Sequence, residues 1–283
     1  MRKFVYTIGQ GFEGKAVSVF LRYKGYSADL IKDLKKGGLF LNGRNVFTVD
    51  ILHQNDILET VFPREESGVE PHLNASVKLL YSDEDIAVFD KPPHVPTHQS
   101  MGHYEDTLAN HFAALFPDAL FRAVTRLDKN TSGLCLIALN KLASAILCAN
   151  KPKKLYYAAV KGDISDFGTV DLPIDRECEG IIKRVVSQSG KHAVTDYKTV
   201  RKSGEKRLLE ITLKTGRTHQ IRVHLSHIGF PLLGDELYGG DMTEISRQAL
   251  HCGYMEFIHP ITGEKMSFEC PVPEDIEGIF KEL

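Results

Sequence analysis

Hydrophobic positions fall into two blocks separated by a polar, proline-bearing stretch. In the first block Val17, Phe20 and Leu21 recur at helical spacing, Gly25 stops that helix, and Ser27 stands as N-cap before Leu30, Ile31 and Leu34. Gly37-Gly38 ends the second helix. Leu39-Phe40-Leu41 and Val46-Phe47 then flank Asn42-Gly43, a strong short-range hairpin signal, and a last short strand covers 57–62. Residues 63–71 carry two prolines, a glycine and three acids with little apolar content. They predict a linker over 63–76 that lets a unit at 1–62 move relative to a larger one at 77–283.

The second block opens with strand patterns at 77–81 and 86–89, joined by the acidic turn Ser82-Asp83-Glu84-Asp85 and ended by Lys91-Pro92-Pro93, since proline removes a ladder donor. An amphipathic helix follows at 108–115. Polar residues at 125–133 then feed an apolar core strand at 134–139, and a helix covers 141–149. The basic run Lys151-Pro152-Lys153-Lys154 leads into a strand at 155–160 by its aromatic and β-branched content. Turn-rich hairpins occupy 162–207, and a strand covers 208–213. The segment 215–224 opens a helix with Gly216 and Thr218 as start residues and Ile221, Leu225 and Ile228 as its apolar stripe. Arg222 lies one step off that stripe, and strand signals return at 249–257. With no repeat and no regular βαβ alternation, the order predicts an α+β fold: a mixed, mainly antiparallel sheet preceded by a small α/β unit.

Composition narrows the partners. The chain has 283 residues, 42% hydrophobic and 25% charged, with a formal net charge of −2. Any nucleic-acid surface must therefore come from local basic patches. Lys32, Lys35 and Lys36 avoid the apolar stripe of the second helix and read either as a solvated face or as a phosphate-contacting one. Five scattered cysteines without a Cys-x-x-Cys pair predict buried free thiols in a reducing cytosol. No apolar run approaches the roughly 20 residues of a membrane helix, and the opening residues lack a signal-peptide core, so the expected place is the cytoplasm.

Candidate chemistry concentrates at Thr125-Arg126-Leu127-Asp128-Lys129-Asn130-Thr131-Ser132-Gly133. By itself this stretch could be a turn with a structural ion pair. His219, His224, His227, His251 and His259 invite a zinc reading, but none forms a His-Glu-x-x-His pair. The Gly-x-Ser-x-Gly elbow of a hydrolase is missing, as is a phosphate loop. Two flanking carboxylates would suit a glycosidase, yet the marked segments offer Asp128 arginines instead of a second acid. A carboxylate facing arginine is held in its charged form, which suits a nucleophile or base and chemistry at an anomeric carbon.

These residues resemble the RluA family of pseudouridine synthases. Arg126-Leu127-Asp128 with the following Lys129-Asn130-Thr131-Ser132-Gly133-Leu134 is similar to the family's catalytic motif. Lys91-Pro92-Pro93, Lys154-Leu155-Tyr156, the run from Thr215 through Arg222 to His224, Gly234-Asp235-Glu236-Leu237-Tyr238-Gly239 and Ala249-Leu250-His251 resemble its other motifs. The helix-helix-hairpin order of residues 1–62 resembles the S4-like RNA-binding domain. Thr125 departs from the histidine that the family most often has there.

The resemblance implies a pseudouridine synthase fold and isomerisation of uridine to pseudouridine within RNA: the N1–C1′ bond breaks, the uracil turns, and C5 bonds C1′. It implies no cofactor and no metal. Asp128 is the implied essential aspartate, Arg222 its partner, Tyr156 the ring that stacks on the uracil and Leu250 a pocket wall. Arg126 is implied to contact RNA where the target nucleotide flips out, at a cost of on the order of a few kcal/mol. Large-subunit ribosomal RNA is the first expected substrate and transfer RNA the second, acted on by a monomer. A non-catalytic RNA-binding protein on the same fold would be marked by loss of Asp128, Tyr156 or Arg222, and all three are present.

Overall fold

The structure, a computed structural model, describes residues 2–63, 65 and 67–281. The first unit consists of β1 (Lys3–Thr7), α1 (Val17–Tyr23), α2 (Ala28–Leu34), β2 (Leu39–Leu41), β3 (Arg44–Asn45) and β4 (Ile57–Val61). Its four strands form one sheet in the order β1-β4-β2-β3. The Ser27 hydroxyl accepts from the Leu30 amide and starts α2 as expected. Asn42 and Gly43 both take positive φ, +50° and +79°, the pair of left-handed conformations a two-residue hairpin needs. Strand β1 is not predicted by the sequence pattern. Of its five residues only Phe4 is buried, and its partner β4 lies some fifty positions away, so local pattern could not reveal it.

The core of this unit, built on Phe20, Leu21, Leu34, Leu39 and Leu58, is completed by a residue from beyond it. Leu142 is 1% exposed within that same cluster, with Ala145 and Ile146 packed against it. The unit is therefore docked, not free. Lys141 pairs with Asp33 at 2.9 Å and with Glu65 at 3.0 Å, and Arg2 grips Asp85. The stretch predicted as a loose tether is also tied down. The Glu65 carboxylate reaches Arg122, while Asn110 donates to Glu70 and accepts from His72 through its backbone oxygen. Acidic, proline-containing composition suggested mobility, but long-range ion pairs, invisible in local sequence, hold the segment against the larger unit.

The larger unit is built on a ten-stranded sheet. Its strands are β5 (Lys78–Ser82), β6 (Ile86–Lys91), β7 (Arg122–Ala123), β8 (Ser132–Ala138), β9 (Lys153–Lys161), β10 (Phe167–Asp171), β13 (Val194–Ser203), β14 (Lys206–Leu213), β15 (Leu250–Ile258) and β16 (Lys265–Glu269). A separate hairpin joins β11 (Ile174–Arg176) to β12 (Arg184–Val186). The main order is β10-β13-β14-β9-β15-β8-β6-β5, with β7 on β8 and β16 on β15. All its pairings are antiparallel except β8 with β15, which makes the sheet mixed and mainly antiparallel as expected. Helices α3 (Leu108–Leu115), α4 (Lys141–Ala149) and α5 (Gln220–His227) accompany it, with α6 (Glu274–Glu277) near the end. No helix among the described residues is long and apolar enough to cross a membrane.

Strand β8 is buried at every position, which explains its continuous apolar run. At its start Gly133 takes φ +110°, and a Cβ there would lie 2.2 Å from the Cys252 carbonyl oxygen on β15. Only glycine permits that approach, so the parallel pairing that places the preceding loop depends on it. Of the five cysteines, 135, 252 and 270 are buried, whereas Cys148 and Cys178 are exposed, contrary to the expectation of buried filler for each.

Candidate active site

The loop carrying Asp128 runs from β7 to β8 and is pinned by its flanks. The Thr125 hydroxyl accepts from the Leu136 amide at 2.9 Å. Thr97 donates to the Leu127 carbonyl at 2.8 Å and accepts from the Leu127 amide at 3.2 Å. Lys91 is fully buried, and its ammonium donates to the carbonyls of Pro92, Val95 and Lys129. Arg247, gripping Asp275 through Nε and Nη2, gives its Nη1 to the Asn130 carbonyl at 3.1 Å. One side chain of the loop itself, Thr125, and three from elsewhere, Lys91, Thr97 and Arg247, thus fix the backbone on both sides of Asp128. Thr125, in the position where the resemblance leads one to expect histidine, serves as one of these ties.

The other half of the site comes from α5. The sequence predicts its start at Gly216 or Thr218, but the helix begins at Gln220 after His219, which holds the left-handed φ of +56°. The single apolar stripe is also exceeded, because all positions from Gln220 to Leu225 are buried. Arg222 is consequently an interior arginine. Its Nε and Nη2 bind the two oxygens of Asp235 at 2.7 and 2.8 Å, and its Nη1 binds Asp128 Oδ2 at 3.0 Å. Its guanidinium also lies 4.9 Å from the centre of the Tyr238 ring. Burial opposes the charge of Arg222, but hydrogen bonds and attraction from Asp235 and Asp128 outweigh it and hold its pKa above the ordinary value.

Asp128, Tyr156, Arg222 and Leu250 line one cavity of about 70 Å³, together with Arg126 and His219. Tyr156 comes from β9, and burial pushes its hydroxyl up to about 12, with the Lys154 ammonium pulling the other way from 5.5 Å off the ring centre. Leu250 enters from β15. Arg126 is exposed at the mouth, next to the half-exposed Asp128. Lys32, Lys35 and Lys36 are exposed on and after α2, and none of them lines this cavity. A larger cleft of about 360 Å³ lies elsewhere, between Arg2, Phe62, Arg122 and Lys141 where the two units meet.

Three further residues complete the site. Asp235, 1% exposed, anchors Arg222. His219 and Tyr238 are joined by a 2.9 Å hydrogen bond, and their rings meet edge to face. All three sit in segments that resemble family motifs, but the sequence suggests only a metal-ligand role for His219 and none for Asp235 or Tyr238. Of the other histidines, His224 bonds Thr195 and the Leu172 carbonyl, and His251 bonds Ser132 and the Cys270 carbonyl.

One arginine-held carboxylate beside a buried tyrosine, in a small cavity on a mainly antiparallel sheet, defines the class within which relatives are found. Residues 85–227 match the family model described as RNA pseudouridylate synthase. An uncharacterised RNA pseudouridine synthase of Bacillus subtilis is 39% identical over 272 residues, covering 91% of this chain and 95% of the relative. The ribosomal large subunit pseudouridine synthase D of Pseudomonas aeruginosa is 37% identical over 264 residues, 86% of this chain and 82% of the relative. Among solved structures, human RNA pseudouridylate synthase domain containing 1 superposes with a TM-score of 0.60 at 27% identity, covering 74% of this chain and 90% of that one. The chain belongs to the RNA pseudouridine synthase family. It is an isomerase that converts uridine to pseudouridine in RNA.

Proposed function

We propose that this chain isomerises specific uridines of large-subunit ribosomal RNA, with Asp128 as its essential carboxylate. The observation that carries the reading is the Asp128–Arg222–Asp235 chain, which ends at a cavity walled by Tyr156 and Leu250. Arg222 is clamped at both ends, so the carboxylate meets a bound nucleotide with its orientation already set. The reaction moves one hydrogen overall: C5 loses its hydrogen as it bonds C1′, and N1 gains one. It needs no redox partner. Tyr156 is buried and un-ionised, so it offers an aromatic face for stacking and a hydroxyl that can hold a proton. The target base must leave its stack to enter so small a recess, and Arg126 stands at the mouth where it can occupy the vacated space.

The choice of RNA is supported by relatives whose names specify the ribosomal large subunit, in Pseudomonas aeruginosa and at 32% identity in Xanthomonas campestris. In this reading residues 1–62 are an S4-like RNA-binding unit, 63–76 the connection and 77–283 the synthase domain. Lys32, Lys35 and Lys36 supply phosphate contacts on the exposed side of α2. The enzyme acts as a single chain in the cytoplasm.

Pseudouridine maps of total RNA from cells with and without this protein test the target. Loss of signal confined to large-subunit ribosomal RNA is the expected result. Loss confined to transfer RNA would move the assignment there, and identical maps would overturn it.

A further inference from the structure

His219 occupies a backbone conformation that a non-glycine residue adopts only at some cost, φ +56° and ψ 18°. It makes no side-chain cap to α5, so helix capping does not account for it. Its side chain, 8% exposed, instead faces the cavity, with Nε2 3.7 Å from Asp128 Oδ2.

The hydrogen bonds point to where its proton sits. The Arg184 backbone N–H donates to the Tyr238 hydroxyl oxygen at 2.9 Å. The hydroxyl's own hydrogen then has His219 Nδ1, also at 2.9 Å, as its acceptor within reach. An Nδ1 that accepts carries no proton, so a neutral ring bears its hydrogen on Nε2, toward Asp128. The charged groups facing the ring are Asp128, Arg222, Asp235 and Arg184, with Tyr238 as its hydrogen-bond partner. Burial and the two arginines disfavour the imidazolium, and the two carboxylates favour it; the net effect keeps the pKa below the ordinary value.

We propose that His219 is a positioning residue for Asp128, a neutral imidazole whose Nε2–H is aimed at Oδ2. Oδ2 then has one formed donor, Arg222 Nη1 at 3.0 Å, and a second, His219 Nε2, standing 3.7 Å away. Oδ1, which has no protein hydrogen bond among the described residues, is the oxygen presented to the nucleotide. At 3.7 Å the His219 contact is longer than a formed hydrogen bond, so the proposal requires it to shorten when RNA fills the cavity. This inference rests on the reading of Asp128 as the essential carboxylate.

Long-range proton–nitrogen spectra of the full chain with ¹⁵N-labelled histidine test the tautomer directly, with His219→Gln assigning the signal. The expected result at pH 7 is a neutral ring protonated at Nε2, a preference that Tyr238→Phe weakens. An Nδ1-protonated ring or an imidazolium would overturn the proposal. Single-turnover rates on an in vitro transcript of large-subunit ribosomal RNA supply the second readout. His219→Phe should slow the reaction about 10- to 100-fold with RNA affinity within about twofold, and His219→Gln, which keeps a donor, should recover most of the rate. A wild-type rate in His219→Phe would overturn the proposal even if the tautomer were as stated. If His219→Phe does not fold, the spectra of the unaltered chain decide alone. An active Asp128→Asn would sink the reading of Asp128 while leaving the tautomer result standing, so the two failures are separable.

Discussion

Arg222 is shared unequally between Asp235 and Asp128: it grips the buried Asp235 with two nitrogens and reaches the half-exposed Asp128 with one. Asp235 fixes the guanidinium, and the guanidinium then fixes the residue that faces the cavity. The ordering matters because a buried charge deprived of its partner is costly.

Replacing Asp235 should therefore harm the fold before it harms the chemistry. Asp235→Ala leaves Arg222 interior with its main partner gone, and it is expected to lower unfolding stability by about 3–5 kcal/mol. Urea denaturation measures this. A loss below about 1 kcal/mol would mean that the pair is no more than a surface ion pair in its effect.

Gly133 should tolerate nothing larger. Its φ of +110° and the 2.2 Å approach to the Cys252 carbonyl mean that Gly133→Ala strains the backbone and separates β8 from β15. Destabilisation of more than about 2 kcal/mol is expected, with slower turnover because the Asp128 loop enters β8 there. A variant as stable as the parent would show that this pairing is not needed.

His219 gives the stability a pH dependence of defined sign. Burial holds its folded pKa below the ordinary 6.5. Below pH 6.5 the unfolded chain takes up a proton that the folded chain resists, so stability falls as the solution is acidified. Comparing the unfolding free energies of the parent and His219→Gln at pH 8 and pH 5 isolates this group. The parent should lose more than the variant on going to pH 5; an equal loss in both would contradict a depressed pKa.

Removing residues 1–62 separates binding from folding. A chain beginning at residue 63 should still unfold cooperatively, because the ten-stranded sheet and its own core lie outside the deleted part. Its RNA affinity should fall and its salt dependence weaken with the loss of Lys32, Lys35 and Lys36. Leu142 and Ile146 become exposed, so reduced solubility is also expected. Loss of cooperative unfolding would place the boundary elsewhere, and unchanged RNA affinity would remove those lysines from the interface.

Much of this was legible from local pattern. The apolar run after Gly133, the Ser27 cap, the Asn42-Gly43 hairpin and the amphipathic helix at 108–115 depend on neighbouring residues, and they appear where the sequence puts them. What escaped depends on distant partners. Strand β1 exists through β4, Leu142 belongs to a core built mostly from residues 4–62, and the connection is fixed by Arg122 and Lys141. At the site, the Asp128 stretch stands out by its own residues, Tyr156 and Arg222 gain a role only through the family resemblance, and the structure brings all three to one cavity. Asp235, Tyr238 and His219 stayed hidden because spacing does not reveal a buried hydrogen-bond chain.

Asp128 is the residue on which the proposed chemistry depends. RNA carrying tritium at uracil C5, transcribed as large-subunit ribosomal RNA, should release its label when mixed with the parent protein. Asp128→Asn should bind the same RNA and release none above background. Equal release from both proteins would contradict the assignment of the chemistry to Asp128.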